Sequence, residues 1–73
     1  MRILGIAPGV ATIGFGVIDF SGREYKLVNC GVITTPAHTM LSARLEQIYD
    51  DMCQLLELFK PDAVSIEELF FNT

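Results

Sequence analysis

One change of period governs what this chain can fold into. Between residues 41 and 59 the apolar side chains recur at steps of three and four; before and after, they do not. Leu41, Leu45, Ile48, Tyr49, Met52, Leu55, Leu56 and Phe59 form one stripe, while Arg44, Glu46, Gln47, Asp50, Asp51, Gln54 and Glu57 fill the opposite side. The spacing predicts an amphipathic helix of about five turns, with Thr39 as N-cap and Pro61 as its stop. A single helix set among strand-like runs acts as a crossover. It carries the chain from one strand to another lying parallel to an earlier one, with a right-handed connection.

The flanking runs read as strands. Arg2 to Ala7, "RILGIA", is apolar almost without interruption, the pattern of a central strand covered on both faces. Pro8-Gly9 breaks it. Thr12 to Phe20 is a second strand, thinned on one face by Gly14 and Gly16. A turn at 21–23, "SGR", leads to a third strand from Glu24 to Thr34, with a bulge expected near Asn29 and Gly31. The short links make these three neighbours antiparallel. Ala63 to Glu67 is the fourth strand. The resulting α/β order is β-β-β-α-β in a mixed sheet, and the first strand is the natural parallel partner of the fourth. Their carboxyl ends then lie side by side, about 4.8 Å apart, bringing Ala7 next to Glu67.

Composition narrows the class. Seventy-three residues suffice for part or all of one small domain, spanning 1–73, and 51% hydrophobic content excludes a disordered tail. No apolar run approaches the ~18 residues of a membrane span, and the N-terminus lacks a secretory layout. Cys30 and Cys53 read as reduced thiols in a cytoplasmic protein. The net charge of −4 speaks against nucleic acid as a partner of this stretch, since phosphate binding calls for Lys and Arg. From Glu46 to Glu68 there are seven acidic residues against one Lys, either a solvated surface or in part a cation site. The closing "SIEELFFNT" carries aromatics and no stop signal, as expected of a segment belonging to a longer chain.

Glu67 is the first candidate for chemistry. It ends the apolar strand "AVSIE", and ligands gather outside strand ends; the alternative is a charge that only marks where the strand meets water. Glu68 falls on the other face if the strand persists. Position 7 matters through Glu67, because Mg²⁺ takes oxygen ligands and paired ions share an acidic ligand, which Ala7 cannot supply. Pro8-Gly9 with Thr12 reads either as a phosphate-embracing turn or as a plain hairpin loop. Phe70 and Phe71 read as core, or as platforms for a nucleic-acid base. His38 reads as a surface loop residue, and Met40 and Met52 as packing.

At "ILGIAPGVATIGFGVI" and "KPDAVSIEELFF" the sequence resembles the RuvC family of Holliday junction resolvases. The first segment is similar to that family's I-L-G-I-D-P-G opening followed by T-G-x-G-V-I; the second is similar to its K-P-D and A-I-E motif. The helix between them also fits, so the resemblance spans essentially the whole chain. It implies an RNase H-like fold whose fifth strand and later helices lie beyond this segment. It implies divalent-metal-dependent cleavage of four-way junction DNA, with Mg²⁺ as cofactor, by a homodimer acting alongside RuvA and RuvB in recombination and repair.

Carried over by position, the resemblance makes Glu67 the catalytic, metal-binding glutamate and Phe70 a contact to junction bases. Position 7 is that of the first catalytic aspartate, and Ala7 departs from the pattern there. The expectation is a nuclease segment that is inactive as written. Two alternatives stay open: a non-catalytic junction-binding protein, and a fragment of an actin-like ATPase, which shares a strand–turn–strand opening around nucleotide phosphates.

Overall fold

The computed structural model describes residues 1–9 and 11–67. Its elements follow the expected order: β1 (Arg2–Ala7), β2 (Thr12–Ser21), β3 (Glu24–Thr34), α1 (Leu41–Phe59) and β4 (Ala63–Ile66). They form one sheet in the order β3-β2-β1-β4. β1–β2 and β2–β3 are antiparallel, and β1–β4 is parallel. The crossover through α1 therefore returns the chain to the far side of β1, making β1 an inner strand.

Local chemistry explains the turns. Gly22, at φ 61°, takes the first central position of the two-residue β2–β3 hairpin, a conformation that a side chain disfavours. The bulge falls where Val17 and Ile18 face Asn29 and Leu27, leaving Val28 as the extra residue of β3. Gly31 lies under the Phe15 ring: a Cβ there would meet Cζ at 3.0 Å. That glycine is what lets Phe15 lie flat against the sheet.

The helix differs from expectation at its start. Met40, not Thr39, is the N-cap, and no side chain caps the first turn. The entry is tied down from within the helix instead. The Arg44 guanidinium donates to the Pro36 carbonyl at 3.0 and 3.1 Å, and Gln47 Nε2 donates to the Thr34 carbonyl at 3.0 Å. The end is as expected. Lys60 turns left-handed at φ 47° with its N–H on the Leu56 carbonyl, and Pro61 then prevents continuation.

Leu4, Ile6, Ile13, Val17 and Ile33 form the buried core on one sheet face, with Ile48, Met52, Leu55 and Phe59 of α1 packed over them. Among the described residues α1 is the sole helix, and it covers β1 on this face. The helical stripe is also wider than the sheet beneath it: Leu41, Leu45, Tyr49 and Leu56 are 40–69% exposed.

At the amino end of β1, Arg2 ties this strand to β2, to the end of α1 and to the link that enters β4. Its Nε and Nη2 donate to the two carboxylate oxygens of Asp19 at 2.8 and 2.9 Å, and Nη1 donates to the Phe59 carbonyl at 3.0 Å. Its own N–H donates to Asp62 Oδ2 at 2.7 Å, and its carbonyl accepts the Asp62 N–H at 2.7 Å. The hydrogen bonds from Arg2, reinforced by its charge, hold the Asp19 carboxyl below its ordinary pKa.

Leu4 is fully buried, so Leu4→Ala is expected to cost ~2–5 kcal/mol of unfolding free energy, measurable by urea denaturation. The Asp19 carboxyl binds protons less readily folded than unfolded. Its stabilisation is present above the unfolded carboxylate value of ~3.9 and is lost as pH falls through the lower folded value. Urea midpoints measured between about pH 5 and pH 2 should therefore fall less steeply for Asp19→Asn than for the parent.

Candidate functional site at the carboxyl ends of β1 and β4

The parallel ladder runs Ile3–Ala63, Leu4–Val64, Gly5–Ser65 and Ile6–Ile66. It continues one step beyond the last strand residue, since the Glu67 N–H donates to the Ile6 carbonyl at 2.9 Å. Ala7 and Glu67 are consequently neighbours at the same end of the sheet, as the crossover reading expects. Leu4 and Ile6 point to α1, so the alternation of a strand places residue 7 on the opposite, open face. Both Ala7 and Glu67 are exposed.

The surroundings are small. Gly14 stands opposite Ala7 on β2, and a Cβ at Gly14 would lie 3.8 Å from that of Ala7. Gly5 and Gly16 face each other in the same way. The site is an open sheet end, not a cavity. A recess of about 380 Å³ lies elsewhere, between β3 and α1, lined by Val32, Thr34, Asp51, Gln54 and Leu58 among others.

The turn after β1 folds back tightly. At Gly9 a Cβ would sit 2.5 Å from the Thr12 carbonyl oxygen, so only glycine fits. His38 lies exposed in the loop before α1 with φ 62°, as a surface residue would. Met52 packs against the core, whereas Met40 is exposed at the helix cap. Cys30 and Cys53 are free and exposed. Glu68, Phe70 and Phe71 lie outside the described residues.

Among the described residues, the donor set at this sheet end does not make up a divalent-ion site. No group of three His, Cys, Asp or Glu side chains that could hold a metal occurs among the described residues. At the strand ends one carboxylate, Glu67, stands beside a methyl group. Such a pair lacks the bridging oxygen that two ions need. Sequence reasoning counted Asp62 only as one of an acidic run and missed its bond to Arg2.

Residues 3–73 match the family model described as "Crossover junction endodeoxyribonuclease RuvC". The chain belongs to the RuvC family. It is 50% identical over 72 residues to the RuvC of Brevibacillus brevis and 45% identical over 73 residues to that of Alkaliphilus oremlandii, covering 99% and 100% of this chain. It spans 43% and 44% of those relatives' lengths. The solved structure described as Thermus thermophilus RuvC in complex with Holliday junction substrate superposes with a TM-score of 0.89 at 30% identity, over 99% of this chain and 46% of that one. The four-strand mixed sheet with its crossover helix is thus the RuvC arrangement, an RNase H-like fold. Within the described residues, no helix is long and apolar enough to cross a membrane.

Replacing Gly9 by Ala forces either the turn or β2 to move. Gly9→Ala is expected to lower unfolding free energy by at least ~1 kcal/mol, read from the urea midpoint, whereas Gly16→Ala, with nothing within 4 Å of the added carbon, should cost less.

Proposed function

We propose that this chain is the N-terminal part of a single RNase H-like nuclease domain whose whole protein resolves four-way DNA junctions, and that the chain as written is catalytically silent. The observation that carries this reading is the parallel pairing of β1 with β4, which sets positions 7 and 67 side by side. Relatives named as crossover junction endodeoxyribonucleases match over the full chain, and one structural relative is described with a Holliday junction bound, which supports junction DNA as the substrate.

In this reading Glu67 supplies one carboxylate of the catalytic centre. Position 7 is the place of a second, and Ala7 leaves it without an oxygen. The family cofactor, Mg²⁺, would provide Lewis acidity when the carboxylate set is complete. The wider setting carried by the resemblance is a homodimer in the cytoplasm, acting with RuvA and RuvB in recombination and repair, with Phe70 meeting junction bases. The acidic balance of this segment then requires the phosphate-contacting basic residues to come from the remainder of the protein. A non-catalytic junction binder is the second reading, favoured by the methyl group at position 7.

One experiment separates the two. The chain is completed with the remaining residues of the Brevibacillus brevis relative and assayed on a four-way junction with Mg²⁺. The parent should bind the junction and cut slowly or not at all. Ala7→Asp should raise the cutting rate at least ~100-fold, a barrier difference of ~2.7 kcal/mol. Glu67→Gln in the Ala7→Asp background should abolish that gain. An Ala7→Asp protein that binds junctions but never nicks them would support the binder; a parent that already cuts rapidly would contradict the role given to position 7.

A further inference from the structure

We propose that Arg44 is a positioning residue: by gripping the segment 34–36 it fixes the turn that joins β1 to β2 after position 7. This role rests on the site assignment above, whereas one arm of its test does not.

Arg44 lies at the same end of the molecule as positions 7 and 67. Among the described residues, Arg2, Arg23, Lys26 and Lys60 sit at the far end of the sheet and helix, and Arg44 is the Lys or Arg at this end. A cation at the working end of a nuclease suggests a phosphate contact. Its bonds point inward instead. Nε and Nη2 both donate to one protein oxygen, the Pro36 carbonyl, at 3.1 and 3.0 Å. Gln47, three residues on and so on the same side of the helix, donates to the Thr34 carbonyl at 3.0 Å. Periodicity counts both residues among the polar ones opposite the apolar stripe, yet both are half-buried.

Pro36 and Thr35 pass this grip on. The proline ring fixes φ at Pro36, and the residue before a proline is kept extended. Holding the Pro36 carbonyl therefore constrains the direction of the Thr35 N–H. Thr35 is buried, and that N–H donates to the Ala11 carbonyl at 3.0 Å. The oxygen of the same peptide group, that of Thr34, faces the other way and is the one Gln47 holds. Ala11 is the last residue before β2. On the other limb of the turn, Gly9 lies so close to the Thr12 carbonyl that no Cβ fits. The turn is held from both limbs, and β2 enters in the register that sets Gly14 opposite Ala7. A chain of contacts thus runs from α1 through 34–36 to the residues flanking position 7.

The test uses the completed chain of the preceding subsection with Ala7→Asp as parent, and adds Arg44→Ala or Arg44→Lys. One arm reads geometry, by amide hydrogen exchange followed by NMR. Arg44→Ala should speed exchange at the Thr35 amide at least ~threefold. The Phe20 amide, bonded to the Met1 carbonyl at the far end of β2, should keep the parent rate, whereas a general loss of stability would speed both. The second arm reads cutting of a four-way junction with Mg²⁺ in single turnover at saturating enzyme. Arg44→Ala should slow this step at least ~tenfold with junction affinity unchanged. Arg44→Lys keeps a donor for the Pro36 carbonyl and should restore both readouts. A loss of junction affinity with the saturated rate intact would make Arg44 a phosphate contact and overturn the proposal. Unchanged exchange at Thr35, equal acceleration at Thr35 and Phe20, or no rescue by Arg44→Lys would overturn it too. If the Ala7→Asp parent never cuts, the site assignment falls, and the exchange arm still decides whether Arg44 holds the turn.

Discussion

Everything at the candidate site depends on β4 lying parallel to β1. Parallel pairing requires a crossover, and here the crossover is α1, whose packing over Leu4, Ile6 and Val17 also builds the core. The same helix that stabilises the sheet therefore delivers Glu67 to the strand end where residue 7 sits. A hairpin return would have made β4 antiparallel and carried its last residue to the opposite end. Topology and chemistry are joined through one amphipathic segment.

The two ends of the β1–β4 ladder play different parts. At the amino end, charge and hydrogen bonding converge: Arg2 meets Asp19, Asp62 and the Phe59 carbonyl. At the carboxyl end, small residues and an exposed carboxylate leave the sheet open on the face away from α1. The chain covers under half of its relatives' lengths.

Much of this was legible in the residues. The period change around 41–59 identifies α1, and the handedness and parallelism of crossovers place β4 beside β1. Ala7 stands out because the motif that its neighbours resemble implies an acid there. What escaped was of two kinds. Helical periodicity reports which side chains are apolar, not how wide the sheet beneath them is, so the exposure of Leu45 and Tyr49 was invisible. Side-chain bonds between distant residues leave no periodic trace. Thr39 looked like a cap by type, yet the helix entry is held from Arg44 and Gln47, and Asp62 looked like one charge among several.

The adjacency of residues 7 and 67 is tested most directly by proton NMR of the folded chain. Cross-strand nuclear Overhauser contacts should connect the Glu67 amide to the backbone protons of Ile6 and Ala7, with slowed hydrogen exchange at that amide. Contacts from residues 63–66 to β3 in place of β1, or an antiparallel pattern against β1, would remove the shared strand end on which the whole functional reading stands.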